Sequence, residues 1–447
     1  MSASYRTGAL ALAAMLSVSA CDDDEPMAPS QERMFEVRVE NVSAAYDFPS
    51  SGVFNTPAGA AAPGPLVPGG VYEFSFSAPP GARLSFATMM VQSNDLFYAP
   101  SGAGIALWNA DGSQVTGDVT GQIRLWDAGT EINEEPGLGP NQVIRQTGAD
   151  TGPADPDNTV RVHVDAFGTI PPASQILRVT LASTGPTSWT ARIENVGSGT
   201  TLTASDGSMH PVPLSPGVFV VHSNADPLFT AGQPDRGEGL EAIAEDGAAG
   251  GLGGALADRT GITGVLSPGA WAVHRAPSVL FAAGATASAG IEAVAEDGNP
   301  SALAGALAAS SAVTASGAFD TPEGAAGPGP LTPGGAYTFT FMAEPGDRLS
   351  VATMYVQSND LFYAPAETGM DLFPGGSAVS GDVTAMFLLW DAGTEVNERP
   401  GVGLFQAPRQ SGADMGTVEG GVVRQVDDGY QYGAVDSRIR VTVTPVG

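Results

Sequence analysis

The sequence predicts an all-β protein made of two antiparallel β-sandwich domains. Short apolar runs alternate at the strand period, among them VYEFSFSA (Val71–Ala78), RLSFATMMVQ (Arg83–Gln92), ILRVTLAS (Ile176–Ser183) and AYTFTFMA (Ala336–Ala343). Gly and Pro are abundant, 59 and 35 residues, and spread along the chain, so turn signals such as PGG, PPG and DG separate those runs where a helical protein would have long periodic stretches. Long blocks also occur twice. ATMMVQSNDLFYAP (Ala87–Pro100) returns as ATMYVQSNDLFYAP (Ala352–Pro365), FNTPAGAAAPGPLVPGG (Phe54–Gly70) as FDTPEGAAGPGPLTPGG (Phe319–Gly335), and LWDAGTEINEEPGLG (Leu125–Gly139) as LWDAGTEVNERPGVG (Leu389–Gly403). The chain contains a duplicated domain, and 447 residues suit two or three cores.

Taken from the N-terminus, Met1–Cys21 reads as an export signal. Arg6 precedes an apolar run too short to span a bilayer, and Val18-Ser19-Ala20-Cys21 resembles the bacterial lipobox, whose cysteine becomes lipidated. Cys21 is the chain's only cysteine, so the folded body has neither a disulfide nor a cysteine nucleophile. Residues 22–34 are acidic and aperiodic, a flexible tether. The expected location is therefore extracytoplasmic, with the protein held to the envelope membrane through its lipid anchor alone.

Sandwich 1 is expected over 35–185 and sandwich 2 over 186–447. In the second copy an extra segment, 200–310, separates the strand-like TARIENV (Thr190–Val196) from the repeat block at Phe319. In the first copy the related FEVRVENVS (Phe35–Ser43) lies close to Phe54. The extra segment is itself a tandem repeat: LSPGVFVVH (Leu214–His222) pairs with LSPGAWAVH (Leu266–His274), and GLEAIAEDG (Gly239–Gly247) with GIEAVAEDG (Gly290–Gly298). Each unit reads as a strand, a Gly-bearing loop and one or two turns of helix, folding separately or packing on the edge of sandwich 2.

Composition removes several function classes. A net charge of −30 and a pI near 4.1 leave no basic footprint for nucleic acid and favour a cation as partner. All 18 basic residues are Arg, which excludes lysine-dependent chemistry. Of the four histidines, His222 and His274 end equivalent strands and none lies near a nucleophile elbow; they read as strand-end residues bonded to a neighbouring loop, and no enzyme is expected.

The acids that recur with the duplication are Asp95 and Asp360 in SNDLFYAP, and Asp127/Glu131 and Asp391/Glu395 in WDAGTE. The Gly of D-A-G-T-E permits a tight bend that brings two carboxylates to one point, and Ca²⁺ takes six to eight oxygen ligands of this kind. The alternative is a metal-free turn capped by its own Asp. Trp126 and Trp390 read as core anchors beneath the loop, Asp118 and Asp382 as turn residues, and Asn109–Gly112 as a hairpin turn.

SNDLFYAP followed by LWDAGTE resembles the spondin N-terminal domain family. The resemblance covers about Phe35–Ser183 and the second copy to Gly447, and is strongest in these two motifs. It implies an eight-stranded antiparallel sandwich with calcium at its loop end, held by Asp95, Asp127 and Glu131 in one copy and by Asp360, Asp391 and Glu395 in the other. The last position is Glu where animal spondins have Asp, and their disulfides are absent here. Three roles stay open: adhesion to a surface polymer, glycan or protein through calcium-ordered loops; a structural envelope protein with a purely stabilising metal; and a hydrolase using an acidic pair.

Overall fold

A computed structural model describes residues 32–446. Cys21, the export signal and tether residues 22–31 lie outside these residues; the tether is shorter than expected, because strand structure begins at Arg33.

In chain order the elements begin with β1 (Arg33–Asn41), β2 (Ser50–Phe54), β3 (Val71–Ser77), β4 (Arg83–Met90), β5 (Leu96–Pro100), β6 (Ile105–Ala106), β7 (Gly117–Asp118), β8 (Ile123–Asp127) and β9 (Arg161–Val162). There follow β10 (Leu177–Gly185), β11 (Ser188–Asn195), β12 (Leu202–Thr203), β13 (Met209–His210), β14 (Leu214–His222), α1 (Leu240–Asp246), α2 (Gly250–Asp258), β15 (Leu266–His274), α3 (Ala289–Asp297) and α4 (Ser301–Ala308). The chain closes with β16 (Val313–Phe319), β17 (Ala336–Ala343), β18 (Arg348–Tyr355), β19 (Leu361–Pro365), β20 (Met370–Asp371), β21 (Gly381–Asp382), β22 (Phe387–Asp391), β23 (Arg424–Gln425) and β24 (Ile439–Val446).

These strands make two antiparallel sandwiches, as the alternation requires. Sandwich 1 packs the four-stranded sheet β3-β11-β10-β7 on the seven-stranded sheet β2-β14-β4-β5-β8-β9, with β6 beside β4. Sandwich 2 repeats the plan with β17-β1-β24-β21 and β16-β15-β18-β19-β22-β23, with β20 beside β18. Each therefore has eleven strands where the resemblance implied eight, because two-residue pairings extend both sheets.

The expected domain bounds do not follow the sheets. β1 lies between β17 and β24 in sandwich 2, with Val37 opposite Phe339 on one side and Val443 on the other. Its look-alike β11 holds the matching place in sandwich 1, between β3 and β10. FEVRVEN and TARIEN have the same alternation and fit the same slot, so chain reach decides which slot each fills. β11 follows β10 through a hairpin that pairs Gly185 with Ser188 and is committed to sandwich 1. The vacant slot beside β24 then falls to β1.

The 200–310 segment is likewise no insertion into sandwich 2. β14 pairs with β2 and β4 in sandwich 1, and β15 with β16 and β18 in sandwich 2, so each tandem unit completes a different sandwich. Sandwich 1 thus sits within the connection between β1 and β15 of sandwich 2. The two crossing segments are tied together: Asp47 N–H and Phe48 N–H donate to Arg259 C=O, Gly261 N–H to Phe48 C=O, and Tyr46 N–H to Thr263 Oγ1.

Each tandem unit supplies two helices, more than the one or two turns expected. They cover the outer face of the seven-stranded sheet: Leu240, Ile243, Leu252 and Leu256 pack over Ala87, Phe97, Val218 and Val220, while Ile291, Val294, Leu303 and Leu307 cover Ala272, Ala352 and Phe362. This second layer explains why β4 and β5 are buried almost without interruption while β3 alternates. Gly247 and Gly298 end α1 and α3 in the left-handed region, and a Cβ there would lie 2.7 and 2.5 Å from the Cβ of Ser215 and Ser267. The Gly of AEDG is thus what lets each helix end against the LSPG strand.

The strand assignment is testable residue by residue. Phe35 is fully buried against Phe341 and Phe373 in sandwich 2, and Trp189 against Phe76 in sandwich 1. Phe35→Ala should cost roughly 3–5 kcal/mol and raise amide exchange in 336–343 and 439–446, and Trp189→Ala should do the same in 71–77 and 177–185. Exchange rising in 71–77 for Phe35→Ala would contradict the arrangement.

Candidate metal centre

The six sequence-selected acids all lie at the same end of their sandwiches, and all are buried, none more than 3% exposed. Strand pairing accounts for their approach. Leu96 sits opposite Asp127 in the β5–β8 ladder, which sets Asp95 beside the start of the DAGTE loop; Leu361 and Asp391 do the same in sandwich 2. Ala128 N–H then donates to Asp95 C=O, and Ala392 N–H to Asp360 C=O. The loop turns at Gly129 (φ 72°) and Gly393 (φ 70°), where a Cβ would fall 2.4 Å from Thr159 C=O or 2.6 Å from Val422 N. Only glycine fits there.

Asp127 is fully matched by the protein. Its Oδ1 accepts from Gly129 N–H at 2.7 Å, and its Oδ2 from Asn133 at 2.5 Å and from Arg161 at 2.8 Å. Asp391 repeats this with Gly393, Asn397 and Arg424. This cap on its own loop is the arrangement that the metal-free alternative describes, now with a guanidinium added.

Asp95 and Asp360 differ from it. Asp95 Oδ2 accepts from Glu131 N–H at 3.3 Å, and Asp360 Oδ2 from Thr394 N–H, Thr394 Oγ1 and Glu395 N–H. Asp95 Oδ1 and Asp360 Oδ1 are buried with no hydrogen-bond partner. Such an orphan acceptor carries its full desolvation cost. Burial, and then the Asp127 charge, push the Asp95 carboxyl far above the usual range. Burial and Asp391 push Asp360 up to about 7.

The third acids reach elsewhere. Glu131 accepts from Asn94 Nδ2 at 3.2 Å and from Gly152 N–H, and its carboxylate gathers with Asp150 and Glu245, with one oxygen from each residue within 4.8 Å of the others. Glu395 accepts from Asn359 and from Gly416 N–H, while Glu296, its pKa raised by burial and then by the Glu395 charge, gathers with Glu292 and Asp414. Asp360, Asp391 and Glu419 form a further group of the same closeness.

Sequence reasoning missed Glu245, Glu292, Glu296, Asp150, Asp414 and Glu419. For five of them the signal was present. GLEAIAEDG/GIEAVAEDG repeats the helix acids, and RQTGAD (145–150)/RQSGAD (409–414) repeats the loop acid. Asp150 and Asp414 also share a left-handed backbone, φ 56°. Glu419 has no such repeated motif.

The remaining readings fall out of the contacts. Trp126 and Trp390 are core anchors: each packs on a helix-layer phenylalanine, Phe229 or Phe281, with ring centres 4.8 Å apart, and donates its indole N–H to Ala99 or Ala364 C=O. Asp118 and Asp382 cap Thr120 N–H and Thr384 N–H as turn residues, and Asn109–Gly112 closes on itself. His222 bonds Asn224 C=O through Nδ1 and Ser85 Oγ through Nε2; His274 bonds Ala276 and Ser350 in the same way. These Ser–His pairs are sealed, none of the four side chains being more than 3% exposed. No family model matches the chain, and a search of curated proteins gives no match.

Titration offers a check on the orphan acid. The folded-state pKa of Asp360 lies above its ordinary value, so the folded state holds a proton that the unfolded chain has lost. Stability from this group is present below the ordinary carboxylate range and is lost as pH rises toward about 7. In chelator, Asp360→Asn should be increasingly more stable than wild type between pH 4 and 7 and level off above; a difference independent of pH would show that Asp360 is not strained by burial.

Proposed function

We propose that this is an exported, lipid-anchored, calcium-binding surface protein of the spondin N-terminal type, and that its metal-ordered loops serve adhesion to a surface polymer, glycan or protein. The observation that carries the metal reading is the buried, unpartnered carboxylate oxygen on each sandwich, Asp95 Oδ1 and Asp360 Oδ1. A hard divalent cation supplies what these oxygens lack, and the oxygen-only set suits Ca²⁺. Asp95 and Asp360 would hold it, and Glu131 and Glu395, whose carboxylates reach away from them, would offer further oxygen ligands at the same end. Asp127 and Asp391, already matched by arginine, would contribute charge from the side. Anchoring through Cys21 follows from the lipobox-like Val18–Cys21, and the chain has no lysine.

The adhesive part of the reading rests on what flanks the acids. Ile132 and Val396, each directly after the third acid, are 48% and 46% exposed, and Val418, bridged to Glu395, is exposed as well. Apolar side chains held in water at a metal-ordered loop end suit a contact surface better than a purely stabilising metal does.

Thermal unfolding tests the metal. At calcium about 100 times Kd the melting temperature should rise by roughly 5–10 °C, the response to a ligand that binds only the folded state. Asp95→Asn/Asp360→Asn should abolish the rise; no rise in wild type removes the metal reading. For adhesion, Ile132→Ser/Val396→Ser should lose calcium-dependent retention on isolated envelope polymer without a change in melting temperature, and undiminished retention would leave the stabilising role.

A further inference from the structure

We propose that in sandwich 1 the cation is also held by the helical unit, with Glu245 of α1 joining Glu131 and Asp150, so that the ion fastens the helix layer to the sandwich loops. This rests on the calcium reading above and extends it to residues outside the repeated loop motifs.

Three carboxylates from three separate segments converge here, one oxygen of each lying within 4.8 Å of the others. Two of them belong to buried residues, Glu131 and Glu245, each 2% exposed. Convergence of acids alone would not define a site. The independent sign is Glu245 Oε1, which is buried and has no hydrogen-bond partner. Asn133 Oδ1, on the same loop as Glu131, is buried and unpartnered too, and the Thr130 hydroxyl lies beside Glu245. Asn133 turns its amide nitrogen to Asp127, which leaves its carbonyl oxygen free.

The unmet atoms are thus all oxygens. A hard cation with several oxygen ligands would satisfy the carboxylate and amide oxygens together. Arg161, at this end of the sandwich, is occupied by Asp127 and Asp155.

The helix is positioned for this role. Gln146, four residues before Asp150, donates to Asp246 next to Glu245, at 2.6 Å. α1 and the Asp150 loop are therefore already docked. Asp150, exposed at the rim of the cluster, holds a left-handed backbone, φ 56°, which Asp adopts more readily than most side chains. Sandwich 2 has Glu296 at the matching place, tied through Gln410 to Asp297, and serves as the internal comparison.

The test is calcium titration by calorimetry on the full chain, with amide exchange of α1 as a second readout. Wild type should bind calcium, and 240–246 should gain protection on its addition. Glu245→Gln should weaken one class of site at least about tenfold and lose the α1 protection, while Glu296→Gln leaves 240–246 protected. Glu245→Asp keeps the charge and should bind more weakly than wild type but more tightly than Glu245→Gln, which controls for a folding defect. Wild-type affinity and stoichiometry in Glu245→Gln, with the site lost in Asp95→Asn, would overturn the helix ligand and leave the loop site standing. Unchanged α1 exchange in wild type on calcium addition would also overturn it. No calcium binding by wild type would remove both readings.

Discussion

The two-sided burial of the seven-stranded sheet governs the rest of the molecule. One face of that sheet meets the four-stranded sheet, with Phe54, Phe86 and Phe219 in the core between them, and the other lies beneath a helix pair. Strands so covered cannot alternate, which is why RLSFATMM is buried from its second residue onward. The helix layer also closes one end of the sheet, where the DAGTE loop emerges, and so takes the loop acids out of water. The depth of Asp95 and Glu131 results from apolar packing several residues away, by Phe229 on Trp126 and by Leu240 and Ile243 over Phe97.

Much of this was legible in the sequence, and the failures have physical causes. Period-2 alternation and turn residues gave the fold class, and duplication gave two sandwiches of one plan. The repeated acids lie buried at the same end of each. Connectivity was not legible, because FEVRVEN and TARIEN are interchangeable as strands; only the two-residue hairpin between β10 and β11 distinguishes them, and it is a fact about reach, not pattern. The segment taken for an insertion failed for the same reason. Both LSPG units lie between the two copies in sequence, yet one completes the sandwich before it and the other the sandwich after it. Glu245 and Glu296 lie within a repeat, but an acid on a short helix ordinarily faces solvent, so the repeat alone does not mark them.

The exchanged strand gives the two sandwiches unequal standing. Sandwich 1 is drawn from one continuous stretch of chain, β2 to α2, whereas sandwich 2 needs β1 from the far side of it. Its four-stranded sheet cannot close until the intervening chain has been made and its ends brought together. Phe48, Arg259 and Gly261 hold those ends by backbone hydrogen bonds, so the folding of sandwich 1 shortens the loop that β1 and β15 must close. The order of folding suggested by the topology is therefore sandwich 1 first, then sandwich 2 around its two tethered ends.

That order bears on the acids. In each sandwich one group of carboxylates, Glu131 with Glu245 and Asp414 with Glu296, comes together only when a helix from the tandem unit docks over loops contributed by the C-terminal half of the repeat. Until then they stay hydrated and repel one another little. Docking removes water from Asp95, Glu131 and Glu245 at once, so the final packing step carries the electrostatic penalty. Burial has already raised Glu245 to about 7, which sets its ionisation near neutrality. A cation entering at this stage would offset the repulsion where the helix layer meets the sheet, and would bind only a sandwich whose helices are in place. The same apolar contacts that make the sheet two-faced would then make ion binding conditional on a completed fold, and the exposed Ile132 would be held in position only in that state.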